Sequence, residues 1–283
     1  MANLMDNRIR QLEVHDRSLI PAEAELWITV TAECHTPTTE IRGRLMGPRC
    51  PYASTVEVAY PLRPLPPHRT SPQSIGATMR VVIPEASLWE PESPFLYQGP
   101  IELWQDGQRR DQIKLSHGLR SFLLGERGLR VNGRPLTLRG RTVSACSDED
   151  ALALRQAGCN LLVVPVEADT LAVWERADRL GFFVLGQLRE NCEQTLRHLE
   201  ILSRHTSCLG WLIEEGVGIP FHSLPQHGLV GLICDSPPQR LYLSVVHFLV
   251  GPLALANLGM PLLVTGEEPV PSPDAPGILG SIV

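Results

Sequence analysis

The sequence predicts a chain of two parts, an all-β sandwich over residues 1–124 and an α/β segment with a parallel sheet over residues 125–283. Two observations carry this division. Up to about residue 124 the chain reads as short runs of alternating apolar and polar residues, bounded by proline and glycine at regular spacing, the pattern of a sandwich. Beyond Gly125 the apolar runs stop alternating and become separated by capped helical patterns, the order of a parallel sheet whose strands are covered on both faces.

In the first part, strands are expected over 25–34, 41–46, 55–60, 77–83, 95–103 and 112–122. The clearest is the L-W-I-T-V-T-A run beginning at Leu26, which alternates as a half-buried strand does. A proline-rich loop over 61–72 interrupts the pattern, and no helical candidate of any length occurs. In the second part, Asn132-Gly133 between two apolar runs is the preferred two-residue hairpin turn. A strand over 136–143 follows, then a helix over 148–157 capped by Ser147 and stopped by Gly158, and a buried strand over 160–166. Next come a helix over 168–180 closed by Gly181, a strand over 182–185, a long helix over 191–204 and a strand over 209–213. A short helix around 224–234 and strands over 241–246 and 261–265 complete the reading.

Composition narrows the function. With 43% hydrophobic and 20% charged residues in 283, the chain has ordinary globular makeup. A net charge of −6 and a pI near 5.9 give no sign of a nucleic-acid footprint, which would need a clustered basic face, and no nucleic-acid partner is expected. No basic and apolar leader and no eighteen-residue apolar run is seen, so a cytoplasmic protein with no membrane partner is expected. The seven cysteines at 34, 50, 146, 159, 192, 208 and 234 show no C-x-x-C pairing, which argues against a disulfide framework and a zinc site. Core packing is expected of all seven, and neither a metal nor a cofactor is expected.

The run I-P-E-A-S-L-W-E-P-E-S-P-F-L-Y over 83–97 is more specific. Pro91 and Pro94 withhold backbone donors, which suits a strand re-aimed at an edge, and Trp89, Leu96 and Tyr97 supply an apolar plug. The run resembles the W-x-P-E-x-P-x-L-Y segment in the immunoglobulin-like domain of family 2 glycoside hydrolases, the β-galactosidase, β-glucuronidase and β-mannosidase group. Residues 118–122, G-L-R-S-F, resemble that family's G-F-R segment, and V-N-G-R-P-L-T-L-R-G over 131–140 resembles its entry into the barrel. The resemblance implies an immunoglobulin-like β-sandwich followed by a (β/α) barrel. A complete barrel typically takes ~250 residues, ~200 at the least, so the barrel over 125–283 is expected to be shortened or incomplete.

The same resemblance points to the candidate site. A retaining glycosidase needs two carboxyl groups about 5–5.5 Å apart, one to protonate the leaving oxygen and one to attack the anomeric carbon. The stretch from His205 to Gly216 resembles the family's acid/base segment, ending in W-x-x-x-N-E after the fourth strand, up to Trp211. Read without a gap, the glutamate falls on Gly216. A one-residue deletion puts Glu215 in the acid/base place, with Glu214 replacing the asparagine that binds the sugar 2-hydroxyl. The stretch from Met260 to Glu267 resembles the nucleophile segment k-P-i-i-v-t-E-y-G; its ungapped partner is Gly266, and Glu267 serves only if the strand carries an extra residue. Trp211 is the other substrate-binding candidate, as an aromatic platform for a sugar ring, with a core role equally open.

Other polar positions implied by the resemblance are replaced. Residues 160–166 lack the arginine and histidine of N-x-V-R-x-x-H, Gly186-Gln187 stand where a glutamate follows the third strand, and 142–144 lack a histidine. A solvated strand end is the plainer reading of Glu214 and Glu215, and a loop that of Glu267 and Glu268. His205 is expected to cap a helix C-terminus, and His222 and His227 to be surface residues. Two functions follow. One is a catalytically impaired family 2-like protein of carbohydrate metabolism, kept for binding a β-linked saccharide or a protein partner. The other is an active retaining β-glycosidase using Glu215 as acid/base and Glu267 as nucleophile.

Overall fold

The computed structural model describes residues 7–20, 22–65, 76–125, 127–190, 192–217, 224–225, 228–239, 245–266 and 277–283. The chain divides into two compact units, Met1–Trp89 with Ser93–Leu119, and Glu90–Glu92 with Arg120–Val283.

The first unit is built from β1 (Ile9–Ile20), β2 (Glu23–Ala32), β3 (Glu40–Arg49), β4 (Val58–Pro61), β5 (Arg63–Pro64), β6 (Gly76–Pro84), β7 (Leu96–Gln105) and β8 (Gln108–His117). They form two four-stranded sheets, β1-β2-β6-β5 and β4-β3-β7-β8. The period-2 pattern of β2 places Ala24, Leu26, Ile28 and Val30 on one face, where they are buried with Leu45, Val81, Ile83, Ile101 and Leu103. Each of the valines, leucines and isoleucines among them contributes about 1.5–3 kcal/mol of apolar burial.

Two features differ from the expected strands. β1 is a twelve-residue edge strand whose polar middle, His15 to Ser18, leaves no alternating signal. The β7–β8 hairpin is longer than predicted and turns at Asp106-Gly107, which take φ of 53° and 73° as a two-residue turn requires. In the run over 83–97, Trp89 pairs with Pro94 and donates its N–H to the Leu119 carbonyl at 2.7 Å. Ser87 donates its N–H to the Tyr97 hydroxyl at 2.9 Å, and Trp89, Leu96 and Tyr97 are all buried. Burial pushes the Tyr97 phenol up to about 12.

In the second unit, β9 (Phe122–Gly125), β10 (Gly128–Val131) and β11 (Arg134–Leu136) form a small antiparallel sheet. Asn132 and Gly133 make its turn at φ of 50° and 80°, and the Asn132 carboxamide oxygen accepts the Ser121 N–H. Glu90–Glu92 belong here because Arg155 donates to the carbonyls of Pro91, Glu92 and Leu180.

Then comes the barrel: β12 (Leu138–Thr142), α1 (Asp148–Gln156), β13 (Leu161–Pro165), α2 (Leu171–Leu180), β14 (Phe183–Leu188), α3 (Glu193–Leu202) and β15 (Cys208–Glu214). It continues through β16 (Leu229–Ile233), β17 (Phe248–Gly251), β18 (Leu262–Thr265) and β19 (Ile278–Ile282). The eight strands are parallel and close into a barrel in chain order, with β19 pairing back to β12.

Two helix ends carry the caps that the sequence offers. Ser147 and Asp150 form a capping box on α1, and α2 ends at Gly181, whose φ of 79° is the left-handed conformation glycine adopts without a Cβ penalty. Arg120 lies at the start of β15, where it donates to the carbonyls of Thr206 and Cys208 beneath the rings of Phe122 and Phe183.

The expectation of a shortened or incomplete barrel resolves to a shortened one: closure is complete and the economy lies in the connections. Among the described residues the only α-helices are α1, α2 and α3, and β17 is joined to β18 through a 3₁₀ segment, Leu253–Leu258. The helix expected around 224–234 is instead β16. A buried parallel strand is apolar on both faces, so its short run has no periodicity to distinguish it from a helix. The strand expected over 241–246 falls mostly outside the described residues, and β17 begins at Phe248.

Candidate functional site

Strand alternation sorts the barrel side chains into two layers. Val164, Val184, Leu188, Trp211, Ile213, Leu232 and Leu249 face outward into a core shared with Val173, Trp174, Ala177, Leu199 and Leu202 of the helices. Residues between them face the barrel axis: Leu185 and Gln187 on β14, Leu212 and Glu214 on β15. A Cβ built on Gly231 would meet the Phe248 ring at 2.5 Å and Leu212 at 2.8 Å, so the interior is filled by side chains up to the level of Leu212. Above that level, at the C-terminal ends of the strands, lies the mouth where barrel sites are built.

The inward positions at the mouth are Thr142, Pro165, Gln187, Glu214, Ile233 and Thr265, on the first, second, third, fourth, fifth and seventh strands. Thr142 and Thr265 are exposed, and Gln187, Glu214 and Ile233 half-buried. Gln187 pairs in register with Leu212, so Glu214 is its diagonal neighbour, within reach of two long side chains. The Gln187 carboxamide donates to Glu214 Oε1 at 2.7 Å, and Arg189 donates to Gln187 Oε1 at 3.3 Å. The Val217 N–H donates to the Glu214 carbonyl, closing the turn that ends the strand.

The candidates read from the sequence separate here. Glu214 reaches the mouth. Glu215 stands next to it in the turn, exposed, with its N–H on the Ile233 carbonyl at 3.3 Å. Its charge reaches Cys234, whose thiol is raised first by burial and then by Glu215. Glu267 and Glu268 lie outside the described residues, as do His222 and His227; the strand leading to Glu267 ends in Thr265 and Gly266.

Trp211 takes the core position, one of the two roles left open for it. It is fully buried, its ring 5.9 Å from that of Trp174 and pressed on Gly186, so it has no open face on which a sugar could stack. It is part of the wall between barrel and helices.

Two further expectations change. The His205 ring does not cap a helix. Its Nδ1 is 2.7 Å from Asp178, which also accepts the Ser207 N–H at 2.6 Å, tying α2 to the approach to β15. Of the cysteines, Cys146, Cys208 and Cys234 are buried, but Cys192 is exposed at the N-cap of α3, where the Thr195 hydroxyl lowers its thiol pKa. Gln187 carried no functional signal in the sequence except its place after the third strand. Among the described residues no cluster of three His, Cys, Asp or Glu side chains could hold a metal ion, and no helix is long and apolar enough to cross a membrane.

Comparison with known proteins agrees with this architecture. Residues 12–120 match the family model of glycosyl hydrolases family 2. No curated protein sequence matches the chain. Among solved structures, a calcium-binding mutant of Bacteroides uniformis β-glucuronidase 2 is 14% identical with a TM-score of 0.69, over 98% of this chain and 47% of that one. A family 2 glycosyl hydrolase from Bacteroides cellulosilyticus gives the same identity and TM-score over 98% and 44%. A β-glycosidase from Bacteroides vulgatus is 15% identical with a TM-score of 0.64, over 92% and 38%. The chain thus spans less than half the length of these structures. Residues 12–120 thus match the model of glycosyl hydrolases family 2, and the chain shares the fold of these family 2 glycosyl hydrolase and β-glycosidase structures.

Proposed function

We propose that this protein is a glycosidase-like saccharide-binding protein in which turnover is impaired, and that a β-linked saccharide binds at the C-terminal mouth of the barrel. The observation that carries this reading is the composition of the inward rim. Glu214 on the fourth strand is bonded to a carboxamide, and the other described inward positions hold Thr142, Pro165, Ile233 and Thr265. None of those four, nor Gln187, can form the glycosyl ester of a retaining mechanism or act as its carboxylic acid. The polar rim above a filled interior still offers acceptors and donors to hydroxyl groups, which favours saccharide over protein as the ligand. Solved structures with this fold are named β-glucuronidase and β-glycosidase, which supports a β-linked saccharide as the ligand class.

The test is turnover. The purified chain, incubated with nitrophenyl β-galactoside, β-glucuronide and β-mannoside, is expected to release no nitrophenol above background. Release that disappears in Glu215→Gln or Glu267→Gln would overturn the proposal and establish the active alternative.

A further inference from the structure

We infer that the second unit carries a binding site for a small zwitterion, an α-amino acid with an aliphatic side chain, in the cavity between residues 90–92 and the β10–β11 hairpin. All the lining residues belong to that unit and precede the first barrel strand, so the site is separate from the mouth and independent of the saccharide-binding reading.

Size sets the first limit. The cavity has a volume of about 280 Å³. Pockets for drug-sized ligands span about 300–1,000 Å³, so a single small molecule fits here and a chain of sugar rings or a nucleotide does not. One side of the cavity is apolar: Val131 is buried at its back, Leu136 is half-buried and Pro135 is exposed.

Charge sets the second limit. Glu90, Glu92 and Arg134 line the same cavity. Arg134 Nη1 stands 3.8 Å from Glu90 Oε1, too far for a hydrogen bond, and the arginine side chain is 80% exposed. Among the described residues the Arg134 guanidinium donates no hydrogen bond and the Glu92 carboxylate accepts none. Each can therefore take a ligand group of opposite sign. Both walls are anchored, because Arg155 donates to the carbonyls of Pro91 and Glu92, and Arg130 donates to the Gly133 carbonyl in the hairpin turn.

These anchors also decide the sign of the ligand. Arg130, Arg134 and Arg155 stand against Glu90 and Glu92, so there is no negative excess to draw a bare cation, while the two lining carboxylates repel a bare anion. A zwitterion satisfies both sides: its ammonium donates to Glu92 and its carboxylate accepts from the Arg134 fork. An α-amino acid carries its two charges one carbon apart, as opposite charges sharing one small cavity require, and an aliphatic side chain then covers Leu136 and Pro135.

Ligand-observed NMR titrations of the full chain test this with leucine against glycine, 3-methylbutylamine and 4-methylpentanoate. Leucine should bind, and the amine and the carboxylate, each lacking one charge, should bind roughly tenfold more weakly or worse. Glycine should bind about tenfold more weakly for want of the apolar side chain. Glu92→Gln and Arg134→Gln change exposed side chains; each should weaken leucine about tenfold, with near-UV circular dichroism unchanged. Failure of leucine to bind, an amine or carboxylate that binds as tightly as leucine, or leucine binding unmoved by both substitutions overturns the inference. The saccharide-binding reading stands or falls separately, on the nitrophenyl glycosides.

Discussion

Replacing Gly186 with alanine should destabilise the barrel unit, because the wall there has no room for a methyl group. A Cβ at this position would sit 2.6 Å from two atoms of the Trp211 ring and 3.0 Å from Val166. The ring cannot retreat, since Trp174 packs against it and both indoles are fully buried. Overpacking of this kind costs about 1–3 kcal/mol, and two contacts this close place Gly186→Ala in the upper half, about 2–3 kcal/mol. At about 2–4 °C per kcal/mol for a unit of this size, the loss is a midpoint shift of roughly 4–12 °C. Thermal unfolding followed by the near-UV circular dichroism of the tryptophans measures it. The decisive comparison is the same substitution in a Trp211→Phe background. The smaller ring frees space and also removes a buried indole donor without a hydrogen-bond partner among the described residues, so the alanine should cost about 1–2 kcal/mol less there. A cost of equal size in both backgrounds would refute the view that Gly186 exists to admit Trp211.

The Asp178–His205 pair makes a pH prediction. Burial by itself would lower the His205 pKa, but the hydrogen bond and charge of Asp178 outweigh it, so the value is raised above its ordinary 6.5. The stability it adds is fully present below the unfolded value and is lost as pH rises through the raised folded value. Denaturation midpoints should therefore fall across the neutral to mildly alkaline range, and His205→Gln should flatten that slope; a wild-type profile flat above 6.5 would exclude the pairing. Cysteine reactivity should be ordered by site. Cys192, exposed and lowered by the Thr195 hydroxyl at 3.1 Å, should be alkylated first by iodoacetamide, and Thr195→Val should slow it. Cys208, fully buried and pushed up to about 12 by that burial, should resist until the barrel unfolds; peptide mass mapping that finds it labelled first would contradict the structure.

How far these features were legible in the sequence depended on whether one face of an element meets water. β2 alternates from Glu23 to Ala32 because one face is core and the other is not, and its place could be read directly. β1 could not, because an edge strand with His15, Asp16 and Arg17 exposed in its middle has no pattern to show. The β7–β8 hairpin had a usable signal in Asp106-Gly107 that strand boundaries drawn by apolar content alone pass over. In the barrel both faces of a strand are buried, so strand existence is legible and strand phase is not. β15 is buried on both sides from Cys208 to Ile213, and its pairing with β14 shifts register between Val184 and Leu185. That shift decides that Trp211 points out to Trp174 and Glu214 points in, which no count along the sequence could settle.

The same geometry explains how a barrel can persist while its mouth changes. Residues that hold the wall are set by volume on both faces: Gly186 by Trp211, Gly231 by Phe248, and Gly140 by Leu161 and Ile282. Any change there propagates through close contacts and is penalised whatever the protein does. Rim residues are bounded on one side only. Gln187 in place of a carboxylate, or Thr265 and Gly266 leading into the next loop, changes the chemistry offered to a ligand while leaving the wall contacts below intact. The demands of folding therefore bear on the W-E-P-E-S-P-F-L-Y run, the Arg120 and Arg155 anchors and the small glycines, and not on carboxyl groups at the mouth. Among the described residues the rim holds one inward carboxylate, Glu214, bonded to the Gln187 carboxamide, and neither side chain carries a wall contact of the kind that fixes Gly186 or Gly231.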